Sequence, residues 1–181
     1  MQLQTYQTQR MLIVPPTVEY FPQVYHILQN PKIMRYVTTG PRSFQESWNE
    51  LNGWIDHWQM HGFGPYFLIE KQRQNLIGFA KLYLNNRSPH LQIGYALDTP
   101  YWGYGLGTEA ANFCLQIGFN QLNQRWVDAY ARVENHPSRH ILEKVGMRCV
   151  NNSFLYSNRT YARYLISQQQ YLQNRGILRA S

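Results

Sequence analysis

The sequence predicts an α+β domain in which helices flank a mostly antiparallel, twisted sheet. Apolar residues follow helical spacing before Gly62 and strand-like composition after Tyr66. Two pairs of strand-forming segments are each joined by a short polar turn, which is typical of β-hairpins. A glycine-rich loop at residues 99–107 then joins a strand to a helix, which predicts one parallel crossover.

The domain organisation follows from length and from what the chain lacks. Its 181 residues contain no internal repeat and no linker rich in Pro, Gly or Ser. We therefore expect a single domain over residues 1–166. The tail, residues 167–181, is expected to be a short helix or frayed.

The first third of the chain predicts one strand and two helices. Residues 10–15 form a strand and a turn, and Thr17 caps a helix that continues toward Asn30. A capping box that starts at Ser43 begins the second helix, which ends near Gly62. Four apolar residues of this helix recur at helical spacing and predict a buried face: Trp48, Leu51, Ile55 and Trp58.

The rest of the chain alternates strands with two further helices. Strands are predicted at residues 66–70, 76–84, 91–97, 126–132, 149–156 and 160–166, with a turn at 85–89. One helix follows the glycine loop and ends near Asn120, and the other covers residues 137–145.

Composition narrows the function classes. The chain has 17 Lys and Arg against 10 Asp and Glu, a net charge of +7, which suits an anionic ligand or partner. No apolar run has the length of a membrane span, and the N-terminus lacks the apolar core of a signal peptide, so we expect a cytoplasmic protein. The two cysteines, Cys114 and Cys149, are expected to be reduced thiols, and no metal site is predicted.

The glycine loop is the clearest candidate for a binding site. Gly103, Gly105 and Gly107 lie between a strand and a helix, where backbone N–H groups and the helix dipole converge on a phosphate. The alternative is a turn that binds nothing. A dinucleotide fingerprint does not fit, because Thr108 stands where its third glycine is required.

Two longer motifs resemble a known family. The run IGYALDTPYWGYGLGTEA at residues 93–110, followed by ENHPSRHILEKVGM at 134–147, is similar to the acetyl-CoA-binding core of the GNAT N-acetyltransferases, specifically their RimJ/RimL-like branch. The likeness extends over residues 10–166. It implies a GNAT-like sheet with acetyl-CoA at the junction of strand, glycine loop and helix.

The resemblance also assigns residues to the co-substrate. Backbone N–H groups of the loop would hold the pyrophosphate, and the loop consists of Trp102, Gly103, Tyr104, Gly105, Leu106, Gly107 and Thr108. Trp102 departs from the family's usual Gln or Arg. Tyr95 and Leu97, at the strand end, would pair with the pantetheine arm through their backbone.

Three residues of the second motif have implied roles. Asn135 matches an Asn that contacts the arm, and Ser138 matches a Ser near the sulfur. We expect Ser138 to protonate the departing thiolate, the alternative being a second helix cap. Arg139 either reaches a phosphate of CoA or is a solvated first-turn arginine.

The general base is where the sequence departs most. RimJ/RimL-like proteins commonly carry a Glu at the position of Gln92, and a glutamine cannot accept the amine proton. Gln92 can orient a water, His90 can be the base, or the amine can arrive neutral.

Several functions stay open at this point. The first is an acetyl-CoA-dependent N-acetyltransferase that acts on a protein N-terminus or a small amine, as a monomer or a homodimer. Its acceptor would bind against an aromatic wall on the first helices. The residues of this wall are also candidates for the buried core: Trp48, Trp54, Trp58, His57 and His61. The alternatives are a catalytically weak acyl-CoA-binding module and a basic RNA-binding domain, for which no RNP-like motif or lysine cluster is present.

Overall fold

A computed structural model describes residues 4–37, 40–85 and 88–177 of the chain. Six α-helices lie within these ranges, and two short 3-10 turns cover Val18–Tyr20 and Thr99–Tyr101. The helices are α1 (Phe21–Gln29), α2 (Pro31–Met34), α3 (Phe44–His61), α4 (Leu106–Asn120), α5 (His136–Lys144) and α6 (Gln168–Asn174).

Eight β-strands are hydrogen-bonded in the order β1-β2-β3-β4-β5-β6-β8-β7. Their bounds are β1 (Tyr6–Gln7), β2 (Met11–Val14), β3 (Tyr66–Glu70), β4 (Asn75–Asn85), β5 (Ser88–Leu97), β6 (Trp126–Arg132), β7 (Arg148–Tyr156) and β8 (Arg159–Ser167). The pairing of β5 with β6 is parallel, and the pairings of β1 to β3 with their neighbours and of β8 with β6 and β7 are antiparallel. The predicted α+β fold with a largely antiparallel sheet is confirmed.

The chain divides into two compact units. The first consists of Met1–Lys81 and Tyr95–Ala110, and the second of Leu82–Gly94 and Ala111–Ser181. In the first unit, α1, α2 and α3 bury a cluster of large apolar residues against β3 and β4. In the second, α4 packs so closely on β5 and β6 that a Cβ at Gly118 would lie 3.0 Å from the side chain of Leu91.

The prediction for the first helix is wrong at its start. Thr17 makes no side-chain cap hydrogen bond, and the 3-10 turn separates it from α1. Its hydroxyl instead hydrogen-bonds Glu19, which lowers the pKa of that carboxyl. The predicted end is right, since Asn30 ends α1; its side chain then accepts from the N–H of Lys32 and caps α2, which the sequence analysis missed.

Helix α3 has the predicted ends and part of the predicted buried face. Ser43 and Glu46 form the reciprocal capping box, and Gly62 ends the helix with a left-handed φ of 70°. Trp48, predicted to be buried, is 37% exposed. Leu51 and Trp58 are buried as predicted, and Ile55 is partly buried. Ser47 and Trp54 complete the buried stripe, so Trp48 stands at its edge.

Other segments match to within a few residues. Strands β3 and β6 have the predicted bounds. Helix α5 begins at His136 because Asn135 caps it. The short strand β1 was not predicted, and the predicted turn at 85–89 includes residues 86–87, which lie outside the described residues.

The close contact at Gly78 yields a stability prediction. A Cβ at this position would lie 2.2 Å from the carbonyl oxygen of Ala96 and 2.8 Å from a side-chain carbon of Leu97. Because one neighbour is backbone, Gly78→Ala should lower the free energy of unfolding by about 2 kcal/mol or more in urea denaturation. Gly94→Ala is the matched control, since no atom lies within 4 Å of its Cβ position. Equal stability of the two variants would contradict the predicted clash.

Candidate active site

The glycine loop of the first unit has the local geometry of an anion site. Asp98 follows β5, and its side chain accepts from the N–H of Thr99 at 2.7 Å, which fixes the 3-10 turn. Gly103 and Gly105 then adopt φ values of 84° and 78°, which L side chains rarely adopt. These two residues turn the chain into α4, which begins at Leu106.

The first turn of α4 presents unpaired donors. The carbonyl oxygen of Gly105 accepts the first bond of the helix, from the N–H of Glu109 at 3.2 Å. The N–H groups of Leu106, Gly107 and Thr108 precede that bond and have no acceptor within the helix. They lie at the positive end of the helix dipole, where an anion is stabilised.

Trp102 links the loop to the strand that precedes it. Its indole Nε1 donates to the carbonyl oxygen of Leu97 at 2.7 Å, and its own N–H donates to Thr99. The side chain is 43% exposed. The residue that departs from the family pattern therefore braces the strand end, and the Leu97 oxygen has one of its two acceptor positions filled.

Arg10, which the sequence analysis assigned no role at the site, holds the loop from its other side. Its Nη1 donates to the carbonyl oxygen of Tyr104 at 2.6 Å. Its Nε and Nη2 donate to Glu109 at 2.8 and 2.7 Å, and its backbone N–H donates to the same carboxylate. No local signal marks Arg10 as a loop residue, because its partners lie 94 and 99 positions further along the chain.

The contacts of Glu109 favour its ionised form. Burial alone would raise the pKa of this carboxyl, but hydrogen bonds from Thr8 and Arg10 and the positive charge of Arg10 outweigh it. The pKa of Glu109 therefore lies below its ordinary value. The carboxylate is also in the first turn of α4, where the helix dipole favours negative charge.

The second unit contains four of the predicted site residues, and Asn135 is the best defined. Its side-chain oxygen accepts from the N–H of Ser138 at 3.3 Å, which makes it the cap of α5. The cap of this helix is thus Asn135 and not Ser138. Ser138 is partly buried in the first turn.

Arg139 is half-buried and donates hydrogen bonds to two protein groups. Its Nε donates to the hydroxyl of Tyr164 at 3.1 Å, and its Nη1 donates to the carbonyl oxygen of Val133 at 3.1 Å. The hydrogen bond with Tyr164 raises the pKa of Arg139 further above its usual range. Tyr164 in turn donates to Glu143 at 2.8 Å, so this chain of contacts ties α5 to β8.

Gln92 lies next to a buried carboxylate that forms an ion pair. It is 4% exposed on β5, and its register partner on β6 is Asp128, which is fully buried. Asp128 accepts from the hydroxyl of Ser88 and from Arg163, whose closest nitrogen lies at 3.0 Å. This hydrogen bond raises the pKa of Arg163. The sequence analysis missed the pair, although a single carboxylate within the apolar strand β6 is itself a signal for a buried partner.

Burial removes part of the aromatic wall that was predicted on the first helices. Trp54 and Trp58 belong to the core, so Trp48, His57 and His61 remain of the predicted aromatic wall. The His57 ring lies 4.4 Å from that of His61 and 5.6 Å from that of Phe63. Burial and the neighbouring His61 lower the pKa of His57.

The predicted site residues are thus distributed over both units. The loop residues 102–108, Tyr95 and Leu97 belong to the first, and Gln92, Asn135, Ser138 and Arg139 to the second. Cys114 is a buried free thiol, and burial raises its pKa, whereas Cys149 is an exposed free thiol.

Among the described residues, no group of three or more His, Cys, Asp or Glu side chains is placed to hold a metal ion. Within the same ranges, no helix combines the length and apolar character that crossing a membrane requires.

Comparisons with known proteins agree with this geometry. A family model described as an acetyltransferase (GNAT) domain matches residues 10–148. The uncharacterized N-acetyltransferase YnaD of Bacillus subtilis (strain 168) is 26% identical over 141 residues, which cover 78% of this chain and 81% of that protein.

Two solved structures share the fold. Spermidine N-acetyltransferase from Vibrio cholerae, in complex with CoA and spermine, superposes with a TM-score of 0.77 at 20% identity, covering 91% of this chain and 99% of its own. Ribosomal-protein-S5-alanine acetyltransferase from Vibrio fischeri has a TM-score of 0.74 at 16% identity and covers 93% of this chain and 98% of its own.

The contact between Arg10 and Glu109 predicts how the stability of the protein depends on pH. Because the folded-state pKa of Glu109 is lowered, its stabilisation is present above the unfolded-state pKa and is lost as pH falls through the folded-state value. Between about pH 6 and pH 3, the wild type should therefore lose more stability in urea denaturation than Arg10→Met, which lacks the guanidinium. Glu109→Gln, which removes the titrating group, should lose the least, and Arg10→Met, which keeps the hydrogen bonds from Thr8 and from the backbone N–H of residue 10, should lie between it and the wild type. Parallel pH profiles for all three proteins would contradict this role of Glu109.

Proposed function

Because the chain belongs to the GNAT acetyltransferase family, we propose that it transfers the acetyl group of acetyl-CoA to a primary amine. The acceptor is a protein N-terminus or a small amine. The observation that carries the proposal is the start of α4, where three N–H groups lack helical acceptors directly after two glycines of left-handed φ. The two free thiols fit a reducing compartment, so we place the protein in the cytoplasm.

In this proposal the loop residues 102–108 hold the pyrophosphate of acetyl-CoA through backbone N–H groups. Gly103 supports the assignment, since no atom lies within 4 Å of its Cβ position and the backbone there is open to a ligand. Trp102 does not need the charge of the family's Gln or Arg, because the donors are amides. Asn135 contacts the pantetheine arm and Arg139 a phosphate, and both assignments come from the family resemblance.

The transfer itself is a direct attack. The lone pair of the neutral amine forms a bond to the thioester carbon, and a backbone N–H at Leu97 stabilises the resulting oxyanion. The carbon–sulfur bond then breaks, and Ser138 gives its hydroxyl proton to the thiolate and regains a proton from solvent, so the products are the acetylated amine and CoA. The amine proton leaves to a water that Gln92 orients, or to His90.

Two observations support the proposed class of acceptor. The structural neighbours act, by their names, on spermidine and on a ribosomal protein, and the latter supports a RimJ/RimL-like assignment. The chain has only 10 Asp and Glu residues, which favours acceptors with one amine over polyamines.

The proposal predicts saturable binding of acetyl-CoA in calorimetry and release of free CoA thiol with at least one acceptor from a panel of peptides and amines. Gly103→Glu places charge and bulk where the backbone of the loop is open to the pyrophosphate, and it should weaken acetyl-CoA binding at least about tenfold. Gly103→Ala is the matched control, since it carries the same backbone strain at φ 84° without the charge.

The outcomes separate the candidate functions. Absence of acetyl-CoA binding by the wild type would contradict the proposed co-substrate. Binding without thiol release for any acceptor would favour the acyl-CoA-binding module, for which Gln92→Glu is the next variant. Equal affinities of the two Gly103 variants would contradict the assignment of the loop to the pyrophosphate.

Ser138→Ala tests the proton donor. We expect kcat to fall about a hundredfold with the KM for acetyl-CoA unchanged. The fold should be preserved, because the Asn135 cap bonds the backbone N–H of residue 138 and not its side chain. Ser153→Ala, an exposed serine on β7, is the matched control. An unchanged kcat in Ser138→Ala would remove this residue from the mechanism.

A further inference from the structure

The net positive charge of the chain comes from the second unit. That unit has ten Lys and Arg residues against three Asp and Glu residues, a net charge of +7, whereas the first unit has seven of each. Nine of the ten cationic residues are arginines, whose planar guanidinium binds phosphate through two hydrogen bonds and stacks on rings. An anionic partner is therefore expected on the second unit.

Strands β6, β8 and β7 present one of their faces to α4 and α5. A Cβ at Gly118 of α4 would lie 3.2 Å from the side chain of Val127, and Arg139 of α5 bonds the hydroxyl of Tyr164. Side chains alternate between the two faces of a strand, and paired residues share a face. The opposite face, here called the open face, carries Trp126, Tyr130 and Arg132 of β6 and Arg148, Phe154 and Tyr156 of β7.

Aromatic rings on the open face are accessible to solvent. Trp126 is 40% exposed, and Tyr130, Phe154 and Tyr156 are partly exposed. The ring centroids of Tyr130 and Phe154 lie 5.3 Å apart. Accessible rings on a sheet stack with nucleic-acid bases that are not paired in a duplex. From Trp126 to Arg132 the strand extends about 20 Å, which suits about three nucleotides of a single strand.

Arginines accompany these rings. The open face includes Arg132, Arg148, Arg159 and Arg163, and the sequences of the three strands contain a single acidic residue, Asp128. Asp128 is fully buried and is paired with Arg163 at 3.0 Å. Arg148 is exposed and makes no ion pair within the described part of the chain. The open face therefore has an excess of positive charge, which complements phosphates.

From this charge and these rings we propose that the open face binds single-stranded RNA. Bases stack on Trp126 and on the pair of Tyr130 and Phe154, and Arg148 binds a phosphate. An acidic protein segment would be attracted by the charge but would leave the rings without a partner. Unpaired segments are common in RNA, where proteins recognise them by such stacking. The proposal goes beyond acetyl transfer and does not depend on it.

Fluorescence anisotropy with a labelled, unstructured RNA of about ten nucleotides tests the proposal in the absence of acetyl-CoA. We expect saturable binding with a Kd of about 1–100 µM at physiological salt. Trp126→Ala should weaken this binding at least about fivefold, because a stacked base loses its ring. Trp48→Ala is the matched control: it removes a tryptophan of similar exposure, 37%, from the first unit and should leave RNA affinity unchanged.

A salt titration tests the phosphate contact separately. Arg148→Ala should weaken RNA binding, and the slope of log affinity against log salt concentration should become about 0.7 less steep, because one phosphate contact is lost. Arg73→Ala is its control, since it removes an exposed arginine of the first unit. Gly103→Glu should also leave RNA affinity unchanged, because it alters the glycine loop and not the open face.

Four results would overturn the proposal. The first is the absence of saturable binding to the single strand, and the second is equal RNA affinity in Trp126→Ala and wild type. The third is a duplex of the same RNA, or poly-glutamate of equal charge, that binds as tightly as the single strand, since neither offers unpaired bases. The fourth is loss of RNA binding in Gly103→Glu, which would assign the RNA to the glycine loop.

Discussion

The contact between Arg10 and the first turn of α4 is the interaction on which the candidate site depends. A loop that offers its backbone N–H groups to a ligand cannot use them to stabilise itself. Its conformation must therefore be held by groups outside it. Arg10 does this through Tyr104 and Glu109, and the Trp102 indole does it through Leu97. Both contacts leave the N–H groups of the first turn available to a ligand.

The sequence patterns predicted correctly those features of the fold that depend on residues close together in the chain. The capping box at Ser43, the helix end at Gly62 and the turn at Gly103 and Gly105 were identified correctly, because each depends on residues within a few positions. Gly107, which was predicted in the loop, lies in the first turn of α4. Trp48 was placed wrongly, since helical spacing gives a period and does not say which of two adjacent positions faces the core. Arg10 and the Asp128–Arg163 pair were missed because their partners are distant in sequence.

The ion pair between Asp128 and Arg163 offers a physical reason for the glutamine at position 92. Gln92 and Asp128 are register partners on parallel strands, so their side chains project from the same face of the sheet. A glutamate at position 92 would place a second buried carboxylate beside Asp128. Neighbouring like charges disfavour each other's ionisation. Asp128 already has the guanidinium of Arg163 and the hydroxyl of Ser88. An amide at position 92 keeps the size of glutamate without that repulsion.

The two thiols differ in exposure, so a thiol reagent can distinguish them. Cys114 is buried in α4 and its pKa is raised, so little thiolate forms there, whereas Cys149 is exposed on β7. A maleimide or an aromatic disulfide reagent should therefore modify the native protein at one position and the unfolded protein at two. The second equivalent of label then reports the opening of the packing around α4 and gives a covalent record of unfolding.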